Sequence, residues 1–233
     1  TAMQKVGEYW VPVIDMRGFR NRRKTLANYR DGGHGKQIGH LSQALAVMTG
    51  ALGPEALAQA VAIDAGANIG AYSRLMAAHF GAVHAFELAP DTFECLARNI
   101  SDWGLDGRIT PHQAAISDRP GSVGLGSGGW FRRSISREIK GQGTIPAIAL
   151  DDLSASNVRL LKLDIEGHEE KALHGASRIL NDDKPYVMME LKERHVQNGK
   201  ADLGAHNLLL SLGYRVVADL GDPVIDRLYA PPA

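Results

Sequence analysis

Hydrophobic residues along the chain fall into two kinds of stretch: short continuous apolar runs, and longer segments in which they recur every three or four positions. The runs read as strands covered on both faces, and the periodic segments as amphipathic helices packed over them. Val61, Ala62 and Ile63 form the first run, closed by Asp64, and Ala82 to Phe86 form the second, closed by Glu87. Between them Tyr72, Leu75, Met76 and Phe80 mark a helix face, and Pro90 opens another carrying Phe93, Leu96, Ala97 and Ile100. Arg108 to Ile116 reads as a third strand region, made imperfect by Pro111. Thr144 to Leu150 is a further strand, with Asp151 and Asp152 capping the turn after it. Val158 to Leu163 is the fourth core strand and ends at Asp164, a helix spans His168 to Leu180, and Val187 to Leu191 is the fifth strand. A helix over Leu203 to Leu212 and strands near Arg215 to Ala218 and Val224 to Tyr229 complete the sheet. This alternation predicts an α/β fold with a doubly wound, mostly parallel sheet.

The pattern is weaker before residue 61, and residues 1–60 read as an N-terminal extension packing on a core domain of residues 61–233. The extension joins an apolar piece, YWVPVID, to a basic cluster of Arg17, Arg20, Arg22, Arg23, Lys24 and Arg30. That cluster is either a solvated face or a surface that meets an anionic substrate. Asp31 to His40 holds four glycines and reads as a mobile loop able to close over a site; His34 and His40 lack metal-ligand spacing. Gln43 to Ala60 reads as two short helices, the second started by Pro54. A second irregular stretch, GSVGLGSGGW followed by FRRSISREIKGQG, brings Arg132, Arg133, Arg137 and Lys140 either to a substrate pocket or to a plain surface hairpin.

The chemistry concentrates where the first strand meets the first core helix, at Asp64-Ala65-Gly66-Ala67-Asn68-Ile69-Gly70. A strand, a glycine turn and a helix form a nucleotide cradle, because the turn lets a ligand approach the backbone. A dinucleotide fingerprint places a second glycine where Asn68 stands, which disfavours a nicotinamide-dependent oxidoreductase. Glu87 lies 23 residues after Asp64, at the tip of the second strand, where a carboxylate accepts hydrogen bonds from ribose hydroxyls.

Taken together, IDAGANIGAYS, FELAP, LLKLDIEGHEEKALHGA and MMELK resemble the FkbM family of S-adenosylmethionine-dependent methyltransferases, over roughly Val61 to Tyr229. The resemblance implies a Rossmann-like class I methyltransferase with a seven-stranded sheet. S-adenosyl-L-methionine would be the methyl donor, and the acceptor a hydroxyl on a small molecule, a sugar or a nucleotide-type compound. The donor site would draw on Asp64, Gly66, Ala67, Asn68, Gly70, Glu87, Leu88 and Asp164, with Gln113, Ala114 and Ala115 on the adenine side. Asp164, Glu166, His168, Glu190 and Lys192 are the catalytic candidates; a helix-capping role for Asp164, Glu166 and His168, and a strand-end pair for Glu190 and Lys192, are the plain alternatives. Asp164 and Lys192 also match two members of the Lys-Asp-Lys-Glu arrangement of ribose 2′-O-methyltransferases, which keeps RNA as an alternative acceptor.

Composition narrows this little further. With 26 basic and 26 acidic residues the formal net charge is zero, which argues against holding nucleic acid by bulk charge. Cys95 is the one cysteine, so neither a disulfide nor a cysteine zinc cluster is expected, and no metal is called for. With no apolar run of membrane-spanning length and no leader read at its start, the expectation is a cytoplasmic protein without a membrane partner.

Overall fold

The structure is a computed structural model and describes residues 2–13, 35–124, 143–165, 167–190, 203–221 and 226–233. The basic cluster of residues 17–30, His34, Arg132, Arg133, Arg137, Lys140, Glu166 and Lys192 lie outside the described residues.

Seven strands form the central sheet: β3 (Val61–Ala65), β4 (Ala82–Phe86), β5 (Ile109–His112), β9 (Val158–Leu163), β10 (Tyr186–Glu190), β11 (Arg215–Leu220) and β12 (Asp226–Ala230). Their order is β11-β12-β10-β9-β3-β4-β5. The five central and right-hand strands run parallel, while β12 is antiparallel to both β10 and β11. From β3 the chain winds outward through β4 to β5, then returns to β9 on the other side of β3 and winds through β10. The β3/β9 boundary is therefore the point where strand order reverses, and a crevice opens there beyond the carboxyl ends of the strands. This is the doubly wound, mostly parallel seven-stranded architecture expected from the sequence.

Alternate residues of each strand feed two apolar layers. On one face, Ala62, Val83, Ala85, Leu160 and Met188 pack under α1 (Gly35–Leu52), α2 (Pro54–Ala58), α3 (Ala71–Ala77) and α4 (Pro90–Asp102), through Leu45, Met48, Leu57, Met76, Leu96 and Ile100. On the other, Ile63, Leu161, Leu163, Val187 and Met189 pack under α5 (Glu169–His174), α6 (Gly204–Ser211) and the turn at Ile179–Asp183, through Ala172, Leu173, Ile179, Leu180 and Leu209. Each fully buried Leu, Ile or Met of these layers contributes about 1.5–3 kcal/mol of transfer free energy.

Three local expectations are corrected. Gly35 to His40 is the first part of α1, an 18-residue helix, and not a loop. The apolar stripe of Leu41, Ala44, Leu45 and Met48 extends back to Ile38, and burying it on the sheet outweighs the low helix propensity of Gly35 and Gly39. Arg108 to Ile116 divides into β5 at the sheet edge and β6 (Ala115–Ile116), which leaves for a separate three-stranded sheet with β7 (Gly121–Val123) and β8 (Ile145–Ile148). Pro111 has no N–H to donate, and an edge strand tolerates that. The expected helix over His168 to Leu180 breaks at Gly175, where a Cβ would stand 2.1 Å from the Ser117 carbonyl oxygen.

The apolar piece near the N-terminus forms a hairpin, β1 (Met3–Val6) with β2 (Tyr9–Pro12). Buried Asn99 of α4 clasps it: its Oδ1 accepts from the Trp10 N–H at 2.6 Å, and its Nδ2 donates to the carbonyls of Trp10 at 3.0 Å and Ile69 at 2.9 Å. One amide thus ties the hairpin to the turn that follows β3.

Candidate active site

The turn after β3 is bent by two glycines whose roles are internal. Gly66 sits at φ 81°, and a Cβ there would lie 2.0 Å from the Asp164 carbonyl oxygen. Gly70 sits at φ 95°, where a Cβ would meet Leu96 Cδ1 at 2.8 Å. The freedom of glycine is used to press this turn against the end of β9 and against α4. Asn68 between them also takes a left-handed backbone, φ 53°, which asparagine tolerates better than most residues. The Gly66 and Ala67 N–H groups both donate to the Phe86 carbonyl, which fastens the turn to the end of β4.

At the centre of the site lies a residue given no role by the sequence reading. Lys162, on β9, is 5 % exposed and its ammonium stands 3.1 Å from Asp64 Oδ1 and 3.8 Å from Asp164 Oδ2. It donates to the Gly66 carbonyl at 3.1 Å and lies 5.0 Å from the Tyr72 ring centroid. Burial by itself would lower its pKa, but the carboxylates of Asp64 and Asp164 outweigh that and hold it above the ordinary lysine value. Asp64 is wholly buried, and its other oxygen accepts from Ser73 Oγ at 2.7 Å. A lysine inside an otherwise apolar strand, LLKLD, was the signal that could have found it.

Glu87, just past β4, accepts the Asn68 N–H at 3.0 Å on one oxygen and the Ala89 N–H at 2.8 Å on the other. Burial nevertheless pushes its carboxyl up to about 7, because those two bonds only partly offset the lost hydration. Each oxygen keeps a second lone pair for another donor. Asn68 Oδ1 is buried with no hydrogen-bond partner among the described residues, an acceptor that a bound molecule would satisfy.

Leu88 packs with Ala115, Ala147 and Val123 of the small sheet, Ala114 is buried, and Gln113 is exposed. Thus the acid after β4 and the residues after β5 share one end of the crevice. Alongside, His84 Nδ1 and His112 Nε2 share a hydrogen bond of 2.9 Å, and His112 stacks on Phe86 at 4.4 Å. Burial lowers both imidazoles, His112 to about 4, so the pair is neutral near pH 7.

The other end of the crevice lies beyond β9 and β10. Asp164 is the most open of the acids around Lys162, with its side chain 34 % exposed. Glu190 ends β10 directly opposite Asp226, the first residue of β12. Buried Asp226 holds His40 of α1, with Nδ1 and Oδ2 2.7 Å apart. Burial first, then the carboxylates of Asp226, Asp164, Asp64 and Glu190, drive the Tyr72 phenol far above its ordinary pKa, so it stays a proton donor. His168, by contrast, precedes α5 and faces a shallow groove with Ser117, Asp118, Arg119 and Lys171. Glu169 accepts the Ile165 and Gly167 N–H groups, both at 3.2 Å, and so braces the loop that carries Asp164 and His168.

The structure therefore brings Asp64, Glu87 and Asp164 to one rim around Lys162 and adds Ser73, Tyr72, His40 and Asp226, which the sequence reading missed. Among the described residues no helix is long and apolar enough to cross a membrane, and no three His, Cys, Asp or Glu side chains are grouped as metal ligands.

Known proteins share this framework. The crystal structure of the methyltransferase FkbM from Methylobacillus flagellatus superposes with a TM-score of 0.54 at 23 % identity, covering 74 % of this chain and 43 % of that one. Magnesium protoporphyrin IX methyltransferase from Synechocystis, solved with bound S-adenosylmethionine, superposes with a TM-score of 0.51 at 11 % identity over 92 % of this chain and 86 % of that one. These likenesses identify the Rossmann-like fold of class I methyltransferases. The hexuronic acid methyltransferase AglP of Haloferax volcanii is 30 % identical over 137 residues, 55 % of this chain and 54 % of the relative, so the match spans about half of that protein. The model of the methyltransferase FkbM domain matches residues 64–216, from the buried aspartate of β3 to the start of β11, and the chain belongs to that family of methyltransferases.

Proposed function

We propose that the chain transfers a methyl group from S-adenosyl-L-methionine to a hydroxyl of a small, anionic acceptor of the uronic acid class. The observation that carries the donor half of this reading is the Glu87 carboxylate, fixed beside an unsatisfied Asn68 Oδ1 at the strand-reversal point. Ribose hydroxyls would donate to Glu87, and the turn from Gly66 through Ala67 and Asn68 to Gly70 would lie along the donor. Leu88, Gln113, Ala114 and Ala115 would frame the adenine. Asp64 would act through Lys162, which it fixes.

When bound, the donor supplies an electrophilic methyl carbon on a sulfonium. The protein's share is to align the acceptor, exclude water and receive a proton. Asp164, beside the donor turn and partly open, would orient the acceptor hydroxyl; Glu166, His168, Glu190 and Lys192 are the further candidates named from the sequence. The uronic acid class rests on the matched segment shared with AglP.

Calorimetry with S-adenosylhomocysteine and with NAD tests the donor. Binding of S-adenosylhomocysteine that is lost in Glu87→Ala supports the reading; binding of NAD alone would refute it. Methyl-labelled S-adenosylmethionine with a set of uronic acids then tests the acceptor.

A further inference from the structure

We propose that His40, held by Asp226, is the general base that removes the acceptor's hydroxyl proton. This rests on the methyl-transfer reading above.

Both side chains are buried, at 8 % and 10 % exposure, and they come from remote parts of the chain, the start of α1 and the start of β12. Their contact is Nδ1 to Oδ2 at 2.7 Å, the short separation of a charge-assisted bond. A carboxylate can only accept, so Nδ1 carries the proton and Nε2 is the nitrogen with a lone pair to offer. An imidazole held this way by an aspartate is a base whose incipient positive charge already has its counterion.

Position supports the same assignment. The donor residues lie at the ends of β3, β4 and β5, so an acceptor approaches over the ends of β9 and β10 and the start of β12. Asp226 opposes Glu190 in register there and interacts electrostatically with Asp164 and Lys162. The Tyr72 ring lies 5.0 Å from the Lys162 ammonium, and the carboxylates of Asp226, Asp164, Asp64 and Glu190 all act on its phenol. His168, the histidine singled out by the motif, faces the groove of the small sheet instead. Asp164 lies against the Lys162 ammonium, whose charge its carboxylate already answers.

In the step itself the acceptor oxygen forms a bond to the methyl carbon. The carbon–sulfur bond breaks with its electron pair left on sulfur, which becomes a neutral thioether. The hydroxyl proton passes to His40 Nε2, Asp226 balances the imidazolium, and the proton then leaves to solvent. Lys162, Asp164, Glu190 and the Tyr72 hydroxyl are the charged or titratable described groups around the dyad that set its electrostatics.

A tether between α1 and β12 would hold the same tautomer, so Nδ1 protonation is a necessary condition and turnover separates the two roles. Nitrogen-15 NMR of the protein saturated with S-adenosylhomocysteine is expected to show neutral His40 protonated on Nδ1 at pH 8; protonation on Nε2 would overturn the proposal. Asp226→Asn, a change in a positioning residue, is expected to shift the tautomer toward Nε2–H and to lower kcat while leaving KM for the donor within twofold. With D-glucuronic acid as the acceptor probe, His40→Gln should reduce kcat by roughly 10²–10⁴-fold. It should keep the S-adenosylhomocysteine Kd within twofold and flatten the acid limb of kcat measured at saturating donor, where Glu87 is already engaged. Unchanged kcat in His40→Gln would refute the base. A wild-type protein that fails to bind S-adenosylhomocysteine would refute the donor reading instead. If His40→Gln does not fold, Asp226→Asn decides: an unchanged kcat there overturns the base.

Discussion

The two ends of the crevice are built in opposite ways. The proposed donor end is local: Asp64, the turn from Gly66 to Gly70, Ser73, Glu87 and Leu88 lie within one strand–helix–strand unit. The proposed acceptor end gathers His40, Asp164, Glu190 and Asp226 from an N-terminal helix, two parallel strands and a late antiparallel strand. Lys162 stands between them, bonded to Asp64 and the Gly66 carbonyl on one side and facing Asp164 on the other. A site of this kind keeps its donor geometry in one contiguous unit while its acceptor geometry depends on long-range packing, and loops on that side can vary without disturbing the donor.

The largest effect should come from the residue that joins the two ends. Lys162→Ala strands the buried Asp64 carboxylate, and unfolding by urea should show a loss of about 3–5 kcal/mol. Asp164→Ala separates the ends: turnover should fall roughly 10²-fold, equivalent to about 2.7 kcal/mol, while S-adenosylhomocysteine binding and the melting temperature stay close to wild type. Gly66→Ala attacks the donor turn alone; its left-handed backbone and the nearby Asp164 carbonyl predict a loss of about 1–3 kcal/mol together with weaker donor binding.

Glu87 gives the donor end a pH dependence. Its carboxyl titrates near 7 without ligand, and ribose hydroxyls favour the ionised form. Binding of S-adenosylhomocysteine should therefore tighten as pH rises from about 6 and level off above 7, approaching tenfold per unit well below the midpoint. Glu87→Gln should bind roughly tenfold more weakly at pH 8 and flatten that profile in calorimetry. The smallest effect belongs to Arg227→Ala, which removes a surface ion pair with Asp219: stability should change by less than about 1 kcal/mol, and donor binding not at all.

The strand, turn and helix after Val61 were legible because their signals lie close together in the chain. A continuous apolar run ended by an acid, two glycines and a helical period identify a strand, a turn and a helix from neighbouring residues. Lys162 was visible as a charge inside LLKLD, yet only the register of β9 against β3 shows that it meets Asp64. His40 was hidden by the glycines around it, which read as a loop until the stripe from Ile38 to Met48 was buried on the sheet. Asp226 carried no local mark at all.

By itself the sequence determined the alternation of strand and helix, the parallel winding and the glycine turn, because each rests on side-chain periodicity and backbone sterics over a few residues. Only the tertiary structure decided which charges meet. Pairing Lys162 with Asp64, and His40 with Asp226, requires strands and helices distant in sequence to dock before those groups leave water, and burial then makes an unpaired partner costly.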